Sequence, residues 1–258
     1  MQPIEVVPYD PSWPKLFEAE ADKISQALGK NCVVIYHVGS TAVPGLMAKP
    51  FIDIITVVKD LEYVIKPIEN LGYQYKGEIN IPFRKYFSKK DEVGRVHLHV
   101  YEEGNPEIEL NLRFRDYLRS SEKARSEYNK LKIDLLNQEK SHSKNNSRFS
   151  GYTLGKDKFI KNILNKSGFD GLCMRFCTHY DEWEVARNFK EKHQLVIELN
   201  NDSKDHLHFV FYKGTEIVGY AYVQLLPDHK VDISTEINDR YKEHFLKQLN
   251  RWIEQHGN

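Results

Sequence analysis

Two runs, "CVVIYHV" (Cys32–Val38) and "FIDIITVV" (Phe51–Val58), are almost unbroken in apolar, mostly β-branched residues. Side chains branched at Cβ suit a pleated strand, and a run without polar alternation must be covered on both faces. The chain therefore has to build a sheet with these two as central strands. The loop between them, "GSTAVPGLMAKP", is dense in turn formers. One carboxylate, Asp53, stands inside the second run, where a buried charge needs a partner.

The surrounding pattern supplies the covering layers. "SWPKLFEAEADKISQALG" carries a helical apolar stripe at Leu16, Ala19, Ile24, Ala27 and Leu28, with Ser12 as the expected cap. "DLEYVIKPIENLG" reads as a helix broken by Pro67, and "YQYKG", "FRKYFS" and "RVHLHVYEE" as shorter strands. From "NPEIELNLRFRDYLRSSEKARSEYNKLKIDLLNQ" the pattern is helical. "EKSHSKNNSRFSG" is polar and flexible, and "GKDKFIKNILNKSG" is a further helix. The pattern then starts afresh, with "LCMRFC" as a strand, "YDEWEVARNFKEKH" as a helix and "QLVIEL" as a strand. A hairpin turned at Lys213-Gly214-Thr215, a strand and the helix "DRYKEHFLKQLNRWIEQHG" follow. The expected class is α/β (α+β), with a mixed sheet in residues 1–168 and a smaller α+β domain in 169–258.

Composition narrows the function classes. Lys+Arg and Asp+Glu balance at 37 each, so no global field draws nucleic acid or anionic lipid. No apolar run approaches the roughly 18 residues a membrane span needs. Three cysteines, and a start lacking a basic then apolar leader, fit a reduced cytoplasmic protein.

The loop after the first strand is where chemistry concentrates. Gly39 permits a tight turn, while Ser40 and Thr41 can cap a following helix whose free amides favour phosphate. Asp53 on the neighbouring strand can then face the same space and hold Mg²⁺ against a bound triphosphate. Lys49, Arg84, Lys85, Arg113 and Arg115 are further phosphate candidates, although Arg113 and Asp116, one helical turn apart, are expected to pair. His97 and His99 share a strand face. With Asp53 they would offer two imidazoles and a carboxylate, a set suited to zinc, manganese or iron, unless they only hydrogen-bond within the sheet. A second "HLH" at His206 and His208 reads as ordinary strand surface.

"IEVVPYDPSWPKLFEAEADKI", "HVGSTAVPGLMAKPFIDI", "LGYQYKGEINIPFRKYF", "HLHVYEEGNPE" and "FRDYLR" together resemble the GrpB family over about residues 3–168. The resemblance implies a nucleotidyltransferase-like fold related to the polymerase-beta superfamily. Active members of that superfamily carry Asp-x-Asp after the Gly-Ser loop and a third acid nearby. Here the positions are Asp53, Ile54 and Ile55, so one aspartate supports at most a single weak magnesium site.

"YKGTEIVGYAYVQLL", the strand after it and the helix bearing "LKQLNRWIEQHG" resemble the GNAT acetyltransferase family over roughly residues 172–257. That family's glycine-bearing pyrophosphate loop is replaced by "EINDRYKEHF", which argues against coenzyme A as cofactor and favours a degenerate module. Glu236 could serve as a general base and Arg240 could meet a phosphate, or both are solvated helix-start residues. Trp183 and Trp252 are expected as core or interface anchors.

The leading expectation is a transferase-type site for a nucleotide or phosphorylated metabolite. Gly39, Ser40, Thr41, Lys49, Arg84 and Arg113 would bind the phosphates, and Asp53, His97 and His99 would be catalytic and metal-ligating with Mg, Mn or Zn. The alternatives are a non-catalytic binding module on the same scaffold and coenzyme A-dependent acyl transfer in the second domain. Partners are small molecules, with self-association open and neither membrane nor nucleic acid indicated.

Overall fold

The two apolar runs form adjacent strands, β1 (Cys32–Val38) and β2 (Phe51–Val58), paired antiparallel. The computed structural model describes residues 5–91, 94–138, 149–197, 199, 205–226 and 231–256. They divide into two compact units, the first made of residues 5–79, 83–138 and 150–169, the second of 80–82, 149 and the described residues from 170 onward.

In the first unit β3 (Gln74–Tyr75), β4 (Lys85–Asp91) and β5 (Gly94–Glu102) complete a mixed sheet in the order β1-β2-β5-β4-β3. Only β2 and β5 are parallel, and β1 is an edge strand rather than the central one its apolar run suggested, with only His37 and Val38 of it buried. Helices α1 (Trp13–Leu28) and α2 (Ile65–Glu69) cover one face. Ile24, Leu28 and Ile68 meet Ile52, Ile54, Val58, Leu98 and Val100 there, alternate positions of the strands as the pleat requires. Helices α3 (Pro106–Ser120), α4 (Glu122–Leu136), α5 (Gly151–Leu154) and α6 (Asp157–Lys166) follow. Leu118, Ala124, Tyr128 and Ile163 from this group enclose Val43 and Leu46 of the loop after β1, so the loop is a packed element.

The second unit is an antiparallel meander of β6 (Leu172–Phe176), β7 (His206–Lys213), β8 (Glu216–Leu225) and β9 (Val231–Ile237), with α7 (Tyr180–Lys192) and α8 (Asp239–His256). Phe209 packs edge-on against Trp252 and Phe211 packs at a tilt against Phe245, both of α8. On the opposite face His208 and Tyr220 meet Trp183 and Phe189 of α7. Trp252 is thus a core anchor, while Trp183 is part-buried against the sheet.

Several local expectations are corrected. Ser12 precedes α1 in helical conformation without a side-chain cap, its own amide donating to Asp10 Oδ1 at 2.8 Å. Pro67 lies inside α2, in the first turn, where its missing N–H costs no hydrogen bond. Residues 194–197 of "QLVIEL" form turn and coil, with no strand at Leu199 either, because the β-propensity of an isolated segment counts only where a sheet edge receives it. His208 is buried and bonded to the Tyr220 hydroxyl at 2.6 Å, so it is no surface residue. Most of the polar stretch expected to be flexible, 139–148, lies outside the described residues. No described helix is long and apolar enough to cross a membrane.

Candidate functional site

The parallel pairing of β2 with β5 sets Asp53 directly opposite His97, with Val38 on the other side. His97 Nδ1 lies 3.2 Å from Asp53 Oδ1, both side chains part-exposed. Burial pushes the Asp53 carboxyl up, but the hydrogen bond from His97 and the neighbouring imidazoles outweigh it and hold the group below its usual range. With Nδ1–H given to the carboxylate, Nε2 of a neutral His97 carries the lone pair.

Gly39 closes this space from the β1 side. Its φ of 71° and ψ of −170° lie in a region essentially reserved for glycine. A Cβ there would stand 3.0 Å from Asp53 Cβ and Cγ and closer still to Oδ2. The glycine is thus demanded twice, by backbone and by the carboxylate pressed against it. The expected helix after it is only a three-residue 3₁₀ turn, Ser40–Ala42, with no side-chain cap. Thr41 turns inward instead, donating to Phe51 O at 3.1 Å and meeting His37 Nε2 at 3.0 Å. His37 stacks on Phe17 and is pushed down to about 4, chiefly by burial; Asp53 pulls it up, and Arg119 and Arg115 oppose that pull.

His99 sits beyond His97 on the same face, but its Nδ1 faces a cation, Arg84 Nη1, at 3.3 Å. Burial and then that guanidinium drive the imidazole down to about 3, against Asp53. Arg84 is itself buried and donates to Glu78 O at 2.8 Å, so it supports His99 from behind. Among the described residues no three His, Cys, Asp or Glu side chains are disposed to hold a metal ion. Asp53 and His97 offer two donors, and a guanidinium beside the third imidazole repels a cation, so this donor set fits a resident metal poorly. Where a second strand acid would stand, Ile55 is 1% exposed and belongs to the core.

The remaining candidates separate. Arg113 does not pair with Asp116. It reaches back to Glu109 at 2.6 Å and donates to Ser167 O at the end of α6, while Asp116 binds Arg115. The Glu109–Arg113 spacing of four residues is the better-oriented helical ion pair. Arg115 also donates to His37 O, fastening α3 to the end of β1. Lys85 lies over Tyr75, with β4 between β3 and β5. Lys49 stays near Asp53, whose charge it feels.

Sequence reasoning missed Lys132 and Lys156. Lys132 is 2% exposed on α4, donating to Ser40 Oγ at 3.3 Å and to Met47 O. Burial, then the charge of Lys156, lowers it to about 7. A signal existed: Lys132 falls four residues after Tyr128 on the stripe that α4 buries. Lys156, lowered to about 8 by burial and Lys49 against Asp53, gave none.

Residues 3–166 match the family described as GrpB protein. The UPF0157 protein YqkA of Bacillus subtilis is 37% identical over 161 residues, 61% of this chain and 45% of YqkA. The UPF0157 protein PA4798 of Pseudomonas aeruginosa is 38% identical over 170 residues, 64% of this chain and 67% of that protein. This chain thus spans less than half the length of YqkA. The crystal structure of the conserved protein GrpB from Enterococcus faecalis superposes with a TM-score of 0.54 at 35% identity, covering 63% of this chain and 96% of that one. The chain belongs to the GrpB family, through the unit that holds Gly39, Asp53 and His97.

Proposed function

We propose that the first unit binds a nucleotide or another phosphorylated small molecule beside the Gly39 turn, as a transferase-type site with Asp53 and His97 as its acid–base pair. The observation that carries this reading is the register of Asp53 opposite His97, behind a turn pressed so closely on the carboxylate that it excludes a side chain at position 39. Asp53 holds Nδ1–H, so Nε2 can take a proton from an acceptor hydroxyl or water as its oxygen attacks phosphorus and the P–O bond to the departing phosphate or pyrophosphate breaks; the carboxylate stabilises the imidazolium, which then returns the proton to the leaving oxygen or to solvent. No step of this reading runs through a metal. A second reading, a binding module without turnover, is favoured by the buried Ile55 in place of a second acid.

The test is a thermal-shift panel of the four ribonucleoside triphosphates and coenzyme A, with and without Mg²⁺, Mn²⁺ and Zn²⁺, on wild type, Asp53→Asn and His97→Ala. A ligand at ~100 times its Kd adds about 2.7 kcal/mol, a visible shift in midpoint. Nucleotide stabilisation followed by turnover that both variants lose supports the transferase. Stabilisation without turnover supports the binding module. No shift with any nucleotide sinks both.

A further inference from the structure

Three lysines from separate parts of the chain converge around two tyrosine rings. The ammoniums of Lys49, just before β2, and Lys156, just before α6, lie 4.6 and 4.8 Å from the centroid of the Tyr152 ring. That of Lys132 lies 4.5 Å from the centroid of Tyr128 and bonds to Ser40 Oγ of the turn beside Asp53. Among the described residues none of the three pairs with a carboxylate, and Lys49 and Lys156 have no hydrogen-bond acceptor. Acids close to them in sequence are engaged elsewhere, Asp157 by Lys161 at 2.9 Å and Asp134 by Lys130 at 2.8 Å.

Gathering like charges in partly desolvated surroundings is costly, and aromatic faces offset only about 0.5–2 kcal/mol per cation. Burial lowers all three lysines first; Lys49 further lowers Lys156 and Lys156 lowers Lys132, while Asp53 pulls Lys49 and Lys156 back up and Arg95 opposes it at Lys49. A purely structural account covers Lys132, which ties the loop through Met47 O. It leaves Lys49 and Lys156 without a role.

We propose that Lys49, Lys132 and Lys156, with the Tyr128 and Tyr152 rings as their floor, form a subsite for a ligand bearing two or more negative phosphoryl charges. Three ammoniums exceed what a monoanion needs, so the class is an oligophosphate, either free or as the phosphate chain of a nucleotide. The subsite deepens the function proposed above by giving its phosphoryl groups a place, and Ser40 links it to the Asp53–His97 pair. Binding an anion raises the lysines toward their ordinary range, so the complex takes up protons near pH 8.

The test is isothermal titration of the whole chain with tripolyphosphate and with ATP in magnesium-free buffer, in HEPES and in Tris. Lys49→Gln and Lys156→Gln remove ammoniums that hold no hydrogen bond, so both are expected to fold, as circular dichroism checks. Each should weaken binding at least about tenfold, Lys156→Arg should keep most of it, and the two buffers should reveal proton uptake. The tighter of the two probes identifies the source of the phosphates. No binding of either probe at millimolar concentration overturns the subsite, as does unchanged affinity in both glutamine variants. ATP binding that needs Asp53 but ignores the lysines would overturn the subsite and leave the acid–base reading standing. Tripolyphosphate binding lost in the lysine variants but kept in Asp53→Asn would support the subsite whatever becomes of that reading.

Discussion

Gly39→Ala tests the geometry of the candidate site most directly. The added methyl meets two independent penalties. A non-glycine residue in this backbone region costs about 1–3 kcal/mol. A Cβ standing 3.0 Å from Asp53 Cβ and Cγ, and nearer to Oδ2, also forces the carboxylate away from His97, an overpacking cost of about 1–3 kcal/mol. The sum is roughly 4 kcal/mol. Gly45→Ala is the control: φ is +79° there, but nothing lies within 4 Å of the new Cβ, so only the backbone term of about 1–2 kcal/mol remains. Urea unfolding of the first unit can be followed through Trp13, 3% exposed, after Trp183→Phe and Trp252→Phe silence the second unit. Placing Gly39→Ala on Asp53→Ala removes Oδ2 and Cγ, and should recover about 1–2 kcal/mol as a coupling energy. If Gly39→Ala costs no more than Gly45→Ala, or shows no coupling to position 53, the close approach of turn and carboxylate is wrong.

Other outcomes follow from the same geometry. His37 and His99 are held below their unfolded value of 6.5, at about 4 and about 3, so between these values the unfolded chain binds more protons. The stability they lend is therefore complete above pH 6.5 and is lost as pH falls through 4 and then 3, about 3 kcal/mol for His37 alone. Unfolding at pH 7.5, 5.5 and 4.5 should show this slope, and His37→Gln should flatten it; an unaltered slope in the variant refutes the assignment. In the second unit Glu182 receives the His179 amide at 2.7 Å and the Tyr212 hydroxyl at 2.6 Å. Glu182→Ala should cost about 3 kcal/mol and Tyr212→Phe about 1 kcal/mol, read from Trp183 and Trp252 fluorescence on urea unfolding. Equal costs would deny Glu182 its capping role.

The elements and their order were legible because each rests on a local rule. β1 and β2 follow from unbroken β-branched runs and α3 and α4 from one helical pattern; its division at Ser121, whose side chain accepts from Ala124 N at 3.2 Å, came only with the structure. The expected strand at 194–199 failed for the converse reason: propensity without a neighbouring edge makes no sheet. Asp53, Gly39 and His97 were recognisable as a group, since a lone acid in an apolar strand and a glycine at a strand end each need a special neighbour.

What the sequence by itself determined is the set of faces, which positions of each strand and helix turn inward, because period 2 and period 3.6 follow from backbone sterics alone. The tertiary structure decided which inward residues meet. The parallel register of β2 and β5 put His97 on Asp53 and left His99 to Arg84, a choice that two histidines on one strand face cannot express. It also brought Lys132 and Lys156, more than 80 residues beyond Lys49 in the chain, to the same pair of tyrosines. Side-chain spacing along one element is local. The placement of one element against another depends on packing the whole core, and the candidate site is assembled from such placements.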